Sequence, residues 1–296
     1  MTGQTLRLPG RVLELEQGRP LLMGVVNASP ESFSDGSEVA DLAAQLRRAL
    51  QLTDEGASMI DVGGESGVTG APPISADEEI TRVVPLVERL AQEGIFVSVD
   101  TWKAPVAQAA LAAGAAMIND VSGLRDPLLA DACAAAGAAL VIMHTRAEPK
   151  HKEFPGYDDP VADVLAFLRE RIAQAAERGL AEDHIVVDPG PDFAKTPAET
   201  VEVLRGLGKL RELGRPILLA VSRKDFIGAI TGRPPRERLA GTLAAVGEGA
   251  AQGATILRVH DVAETRDFLS VRDALRGVVK VSEDLRLDES LRREGT

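Results

Sequence analysis

Cysteine is nearly absent. Cys133 is the single one in 296 residues, which excludes an intramolecular disulfide and any cysteine-built zinc site. It lies in the alanine-rich stretch 131–140, and those surroundings favour a buried, inert thiol over a nucleophile. Long hydrophobic runs are missing too. No segment approaches the roughly 18 uninterrupted apolar residues of a membrane span, and the N-terminus carries no apolar core of signal-peptide length. A soluble protein of the reducing cytoplasm is expected. Positive charge is in deficit, with 33 Lys and Arg against 45 Asp and Glu and a net charge of −12. Such a balance argues against non-specific nucleic-acid binding and against an anionic membrane surface. An anionic substrate would have to be held by a local cluster of cations working against the overall field. There is no GxGxxG, no Walker loop, no metal-type His/Cys spacing, no solenoid repeat and no low-complexity tail.

What the sequence does have is a rhythm. Apolar residues make up 45% of the chain, enough for a large core. Short apolar runs at 21–26, 58–62, 95–99, 117–118, 138–143, 185–187, 217–221 and 255–257 read as eight strands, each followed by an amphipathic or alanine-rich helical stretch. Near-continuous rather than alternating apolar strands are what a parallel sheet covered on both faces requires. Eight such units, in a fold that typically needs about 250 residues, predict a closed (β/α)8 TIM barrel over residues 21–281. Residues 1–20 alternate around Pro9-Gly10 and predict a hairpin, and 282–296 form a polar C-terminal tail. Ser75-Ala76-Asp77-Glu78 and Thr196-Pro197-Ala198-Glu199 read as capping boxes. The connections 66–73 and 145–159 fall on one face.

That face is where a barrel places its chemistry, at the C-terminal ends of the strands. The strands carry or end in Asn27, Asp61, Asp100, Asn119, His144, Asp188, Ser222 with Lys224, and Arg258 with His260. Any one of these could be a helix cap or a satisfied buried polar group. Eight strands that all end this way are harder to explain as solvation. The cations after the seventh and eighth strands also sit where barrels commonly hold phosphate.

The residues then become recognisable. The run from Met23 to Gly36 (Met-Gly-Val-Val-Asn-Ala-Ser-Pro-Glu-Ser-Phe-Ser-Asp-Gly) is followed in order by Gly63-Gly64-Glu65-Ser66, Val99-Asp100-Thr101 and Ile118-Asn119-Asp120-Val121-Ser122-Gly123. Val187-Asp188-Pro189-Gly190, Ser222-Arg223-Lys224 and Arg258-Val259-His260-Asp261 complete the series. In these motifs the chain resembles the dihydropteroate synthase family from about residue 21 to 275. The resemblance implies condensation of 6-hydroxymethyl-7,8-dihydropterin diphosphate with 4-aminobenzoate, giving dihydropteroate and diphosphate. It implies that Asp188 accepts the pterin's ring N–H and exocyclic amine, that Asp100 and Asn119 complete the ring contacts, and that Lys224 donates to the ring carbonyl. Arg258, His260 and a Mg²⁺ near Asn27 would stabilise the leaving diphosphate, with Asp100, Lys224, Arg258 and His260 carrying the catalysis. The 4-aminobenzoate would lie between Phe193, Ser222 and the early loops. A homodimer and sensitivity to sulfonamides are also implied.

The chain departs from the family pattern around the second substrate. Ser66-Gly67-Val68-Thr69-Gly70 lacks a Thr and an Arg usual in that loop, and Asp192 and Ala194 flank Phe193 in place of glycines. Asp225 replaces a Ser, Thr145 replaces a Met, and Arg146 is a candidate to supply the missing charge. Trp102, His151 and Tyr157 match no motif and read as packing or surface residues. Three other readings stay open on these residues: a non-catalytic pterin-binding paralogue, a pterin-dependent methyltransferase of the same superfamily, and a Schiff-base aldolase using Lys224.

Overall fold

The structure is a computed structural model, and it describes residues 4–16, 18–28, 38–65 and 72–292. The chain opens on an antiparallel hairpin of β1 (Gln4–Leu8) and β2 (Arg11–Leu15), turned at Pro9-Gly10 with Gly10 at φ +67°. Then come β3 (Leu21–Asn27), α1 (Glu38–Asp54), β4 (Met59–Gly63), α2 (Ala76–Gln92), β5 (Val97–Asp100) and α3 (Ala104–Ala112). The middle holds β6 (Met117–Asp120), α4 (Leu128–Ala136), β7 (Ala139–Met143), α5 (Pro160–Glu177) and β8 (Ile185–Asp188). It ends with α6 (Pro197–Arg205), β9 (Leu218–Leu219), α7 (Asp225–Thr231), α8 (Leu239–Gln252), β10 (Ile256–Val259) and α9 (Val262–Leu275). The eight strands from β3 to β10 form one parallel sheet in the order β8-β7-β6-β5-β4-β3-β10-β9. A parallel bridge between Val187 and Ile217, with the Val187 N–H donating to Pro216 at 2.9 Å, closes it into the expected barrel.

Side chains on a barrel strand alternate between lumen and outer helices, and the buried residues sort accordingly. Leu22, Ile60, Val99, Ile118, Leu140, Val187, Leu219 and Leu257 pack with the helices. Met23, Met59, Met117, Val141, Val186, Leu218, Ala220 and Ile256 form a second cluster with Leu6, Leu8 and Leu15 of the hairpin. The hairpin therefore plugs one end of the lumen. Two residues further along each strand the same parity reaches Asp61, Asn119, Asp188, Ser222 and Arg258, and Asp100 follows Ser98 in the same way. The polar layer at the mouth is thus the continuation of the apolar layer at the floor.

Several local expectations are corrected. Arg258 lies inside β10 rather than at a strand's end, and only Leu218–Leu219 of the 217–221 run is regular strand. The Thr196 box is complete, with Glu199 returning to the cap, whereas at Ser75 only half forms. The Glu78 carboxylate there pairs with Arg82 one turn along instead of with its cap. After α9 the chain to residue 292 carries one short 3₁₀ turn, Glu289–Leu291, and leaves Leu285, Leu287 and Leu291 exposed. No helix among the described residues is long and apolar enough to cross a membrane.

Because Leu6 is fully buried against the lumen floor, Leu6→Ala is expected to cost ~2–4 kcal/mol in denaturant unfolding. Its kcat/KM should stay at the wild-type value, since the chemistry lies at the opposite end of the strands. A stability loss below about 0.5 kcal/mol would mean that the hairpin does not seal the barrel.

Candidate active site

The centre of the mouth is a group of charges held by one another. Arg258 donates through Nε to Asp61 Oδ2 at 2.6 Å and through a terminal nitrogen to Asp100 Oδ2 at 3.0 Å. Asn119 Nδ2 adds a third bond, to Asp61 Oδ2, at 3.1 Å. Asp61 is fully buried, and its Oδ1 has no partner among the described residues. Burial pushes Asp100 up to about 7, with Arg258 working against the rise and Asp61 adding to it. The same two carboxylates hold Arg258 above its ordinary value despite its burial.

Asp188 ends the neighbouring arc of the barrel. Burial pushes its carboxyl up to about 6, against the Gly190 N–H that it accepts at 2.7 Å and the nearby charge of Lys224. Lys224 is drawn below its ordinary value by burial, while Asp192, Asp188 and Asp100 oppose the fall. Its Nζ lies over the Phe193 ring, 4.3 Å from the centroid. Ser222 and His260 meet each other: the hydroxyl is 2.9 Å from His260 Nδ1 and accepts the His260 N–H at 3.2 Å. Burial, with Arg258 next, lowers His260 to about 4, so the imidazole is neutral near pH 7. A cavity of about 430 Å³ opens over Ser222, Lys224, Arg258 and His260, with Arg236 at its rim. A second, of about 230 Å³, lies between Phe193, Lys224 and the 145–154 connection. The first is cationic, and the two share Arg223 and Lys224.

Not every motif residue commits its side chain to these cavities, even where it lines them. Arg223 turns to Asp261 and ties the segment after β9 to the start of α9. Asp120, one residue out of lumen parity, accepts from the backbone of Ser122 and Leu124 and shapes the loop after β6. His144 is wholly buried, 2.8 Å from Asp163 and 2.7 Å from Lys195. Arg146 makes a two-pronged bond to Asp163, at 3.0 and 2.7 Å. Asp225 pairs with Arg238 at 3.1 Å and faces Lys152 at 3.7 Å. Thr145 turns its hydroxyl back to Ala147. Asn27 stands exposed at the end of β3. The loop Ser66-Gly67-Val68-Thr69-Gly70 with its altered positions, and the part of the first motif from Ser29 to Gly36, lie outside the described residues.

Three features were invisible in the sequence. Lys195, 1% exposed, directs its ammonium to four acceptors: His144 Nδ1 at 2.7 Å, Gly190 O at 2.9 Å, Phe193 O at 3.0 Å and His144 O at 3.4 Å. Burial pulls it down to about 7, and together with its own burial it keeps His144 near 3, so the imidazole accepts from Lys195 and donates to Asp163. Tyr157 donates to Ala194 O at 2.9 Å, which ties the 145–159 connection to the turn carrying Phe193. Glu65 accepts from Lys103 at 2.6 Å and from Lys150, and Lys150 also reaches Pro72 O at 2.8 Å, so three connections are clamped at one carboxylate. Tyr157 packs its ring against His144, centroids 6.0 Å apart, and is a loop tie besides, whereas His151 is exposed at the rim of the smaller cavity. An isolated lysine in an Ala-Lys-Thr sequence gives no signal that the fold will bury it.

A parallel barrel whose mouth gathers carboxylates around Arg258 beside a cationic cavity has the build of a barrel enzyme. The profile described as pterin binding enzyme matches residues 23–260. The dihydropteroate synthase of Bacillus subtilis (strain 168) is 42% identical over 259 residues, 87% of this chain and 89% of that one. That of Escherichia coli (strain K12) is 38% identical over 91% of this chain and 96% of its own. A solved dihydropteroate synthase of Xanthomonas albilineans with 4-aminobenzoic acid superposes with a TM-score of 0.86 at 45% identity, covering 93% of this chain and 100% of that one. One from Burkholderia cenocepacia complexed with 7,8-dihydropteroate gives 0.85 at 41%, covering 94% and 99%. The chain belongs to the pterin-binding enzymes and, within them, to the dihydropteroate synthase family.

Replacing Lys195 with Met would leave His144 Nδ1 and the Phe193 carbonyl without the ammonium donor, and the Gly190 carbonyl with only the Phe193 N–H at 3.1 Å. Lys195→Met is expected to lower stability by ~2–4 kcal/mol in chemical denaturation. An unchanged midpoint would remove Lys195 from its place as the pin of the turn.

Proposed function

We propose that this chain is a transferase that condenses 6-hydroxymethyl-7,8-dihydropterin diphosphate with 4-aminobenzoate, giving 7,8-dihydropteroate and diphosphate. The observation that carries the reading is the joint presence, at one barrel mouth, of a buried carboxylate row (Asp61, Asp100, Asp188) and a cationic cavity over Lys224, Arg258 and His260. The first suits a ring edge rich in N–H donors, and the second suits a diphosphate. Asp188 accepts the ring N–H and the exocyclic amine, Asn119 and Asp100 complete the ring contacts, and Lys224 donates to the ring carbonyl. Cleavage of the methylene–oxygen bond leaves positive charge on carbon, which the pterin ring delocalises, and negative charge on the departing diphosphate. Arg258 and His260 stabilise the latter. The 4-aminobenzoate amine then attacks the methylene carbon from the Phe193 and Ser222 side, so no protein nucleophile is required.

Magnesium fits the donor set in one mode. No group of three His, Cys, Asp or Glu side chains suited to a metal exists among the described residues, so a protein-built cage is not what this mouth offers. Asn27 presents one hard oxygen at the exposed end of β3, and a Mg²⁺ held largely by water and substrate phosphates needs few protein donors. Bound there, the ion would neutralise leaving-group charge. A cytoplasmic homodimer completes the proposal. Exposed Val271 and Leu275, one turn apart on α9, offer apolar side chains to a second copy.

Diphosphate release measured with and without 4-aminobenzoate tests the reading. Release that requires the amine, with dihydropteroate formed in equal amount, is expected; pterin binding without release would instead mean a non-catalytic pterin-binding protein. A pH dependence follows from Asp188. The ionised carboxylate is the acceptor, so pterin donors favour the charged form, and affinity should rise with pH to a plateau above about 6. Below that value it should fall about tenfold per unit in calorimetry; a flat affinity from about pH 5 to 7 would move the pterin edge off Asp188. His260→Ala should reduce turnover by ~10–100-fold and leave binding of a diphosphate-free pterin unchanged. Equal losses in both would remove His260 from the leaving-group site.

A further inference from the structure

Left-handed backbone conformations cluster around one contact. Asp192, Ala194 and Arg223 have φ of +66°, +53° and +60°, and they flank the place where Lys224 meets the Phe193 ring. Non-glycine residues hold such angles only where their surroundings over-determine them. At Asp192 the restraint is specific. Its N–H donates to Thr200 Oγ1 at 3.1 Å, the same hydroxyl returns to Asp192 Oδ1 at 3.2 Å, and Oδ2 accepts the Phe226 N–H at 3.1 Å. Phe226 lies in the first turn of α7, where backbone N–H groups lack intrahelical partners. The cap of that helix is Lys224, whose side chain makes no capping bond. Asp192 supplies from another loop the acceptor that the helix's own cap cannot.

We propose that Asp192 is a positioning residue that locks the turn carrying Phe193 onto the first turn of α7, so that the Phe193 ring and the Lys224 ammonium form one preformed wall for the second substrate. The role in turnover rests on the reaction proposed above; the lock itself does not. The smaller cavity is lined by this wall on one side and by the 147–154 connection on the other. Lys195 and Tyr157 fix the rest of the turn through the carbonyls of Gly190, Phe193 and Ala194. Asp192 is the residue that joins the turn to α7.

A second consequence is electrostatic. Lys224 faces Asp192 from the β8–α6 turn, Asp188 from β8, Asp100 from β5 and Arg258 from β10; it also acts on Lys195 and His260. Burial disfavours its ammonium, and the Asp192 carboxylate is the foremost charge that opposes this. Lys224 gives a ring carbonyl a charge-assisted hydrogen bond only while protonated. Removing the Asp192 charge should therefore move the alkaline limb of kcat/KM to lower pH.

The variants Asp192→Gly and Asp192→Asn separate the two effects. Glycine suits φ +66° but makes no cap; asparagine tolerates that φ and keeps an acceptor for Phe226 without the charge. For Asp192→Gly, KM for 4-aminobenzoate should rise about 5–20-fold with kcat less affected, and the Phe226 amide should exchange faster in the ligand-free protein. For Asp192→Asn, KM should stay within about twofold of wild type, while the alkaline limb shifts to lower pH as in the glycine variant. An unchanged KM in Asp192→Gly would overturn the proposal, as would equal losses in KM, kcat and melting temperature. If the wild-type chain turned over neither substrate but Phe226 protection still fell in Asp192→Gly, the reaction would be wrong and the lock would stand.

Discussion

Everything at the barrel mouth depends on keeping Arg258 between Asp61 and Asp100. A guanidinium out of water is tolerable only with its hydrogen bonds and charge answered, and two carboxylates on adjacent strands, β4 and β5, answer both. The arrangement is not neutral. Burial, with Asp61 adding to it, outweighs the shared cation and holds Asp100 well above the ordinary carboxylate range, while Arg258 stays charged. Beside this group stands Asp188, its carboxyl raised by burial, and on the function proposed above it is the acceptor for a donor-rich ring. A ligand without N–H donors would leave that buried acceptor unpaired, and selectivity would follow from that cost.

Around this centre the fold spends buried charge on geometry rather than on chemistry. Lys195, His144 and Asp163 form a chain of three partners that ends in Arg146, and its effect is to hold the carbonyls of Gly190 and Phe193. Glu65 does the same for the connections after β4, β5 and β7 through Lys103 and Lys150. Here burial penalises the carboxylate, but two ammonium groups outweigh it and hold Glu65 below its ordinary value. Both clusters lie at the strand ends, where loops of different length must share one site. A charge buried with all its partners specifies a position more sharply than an apolar contact of equal size.

The departures from the family pattern acquire different meanings once they are placed. Arg146 is committed to Asp163, and Thr145 closes a local turn. Asp225 faces two cations at the surface, whereas Asp192 reaches across to another helix. Altered residues next to one another in the sequence thus divide into local, surface and bridging roles.

The sequence by itself determined the barrel, the hairpin and the polar mouth, because the period of two along a buried strand is a local property. Met59 and Asp61, Met117 and Asn119, and Ile256 and Arg258 stand two apart in any reading, and a parallel barrel sends both members of each pair into the lumen. The motifs did the same for Asp100, Asp188, Ser222, Lys224 and His260. Only the tertiary structure decided which of these residues face a cavity and which face one another. Ser222 with His260, Arg223 with Asp261 and Lys195 with His144 join segments between 38 and 51 residues apart that no local pattern links. Whether a charged side chain ends in a binding site or in a salt link depends on which partner closure of the barrel brings within hydrogen-bond reach. That distance is set by the packing of the whole ring and is written in no single stretch of the chain.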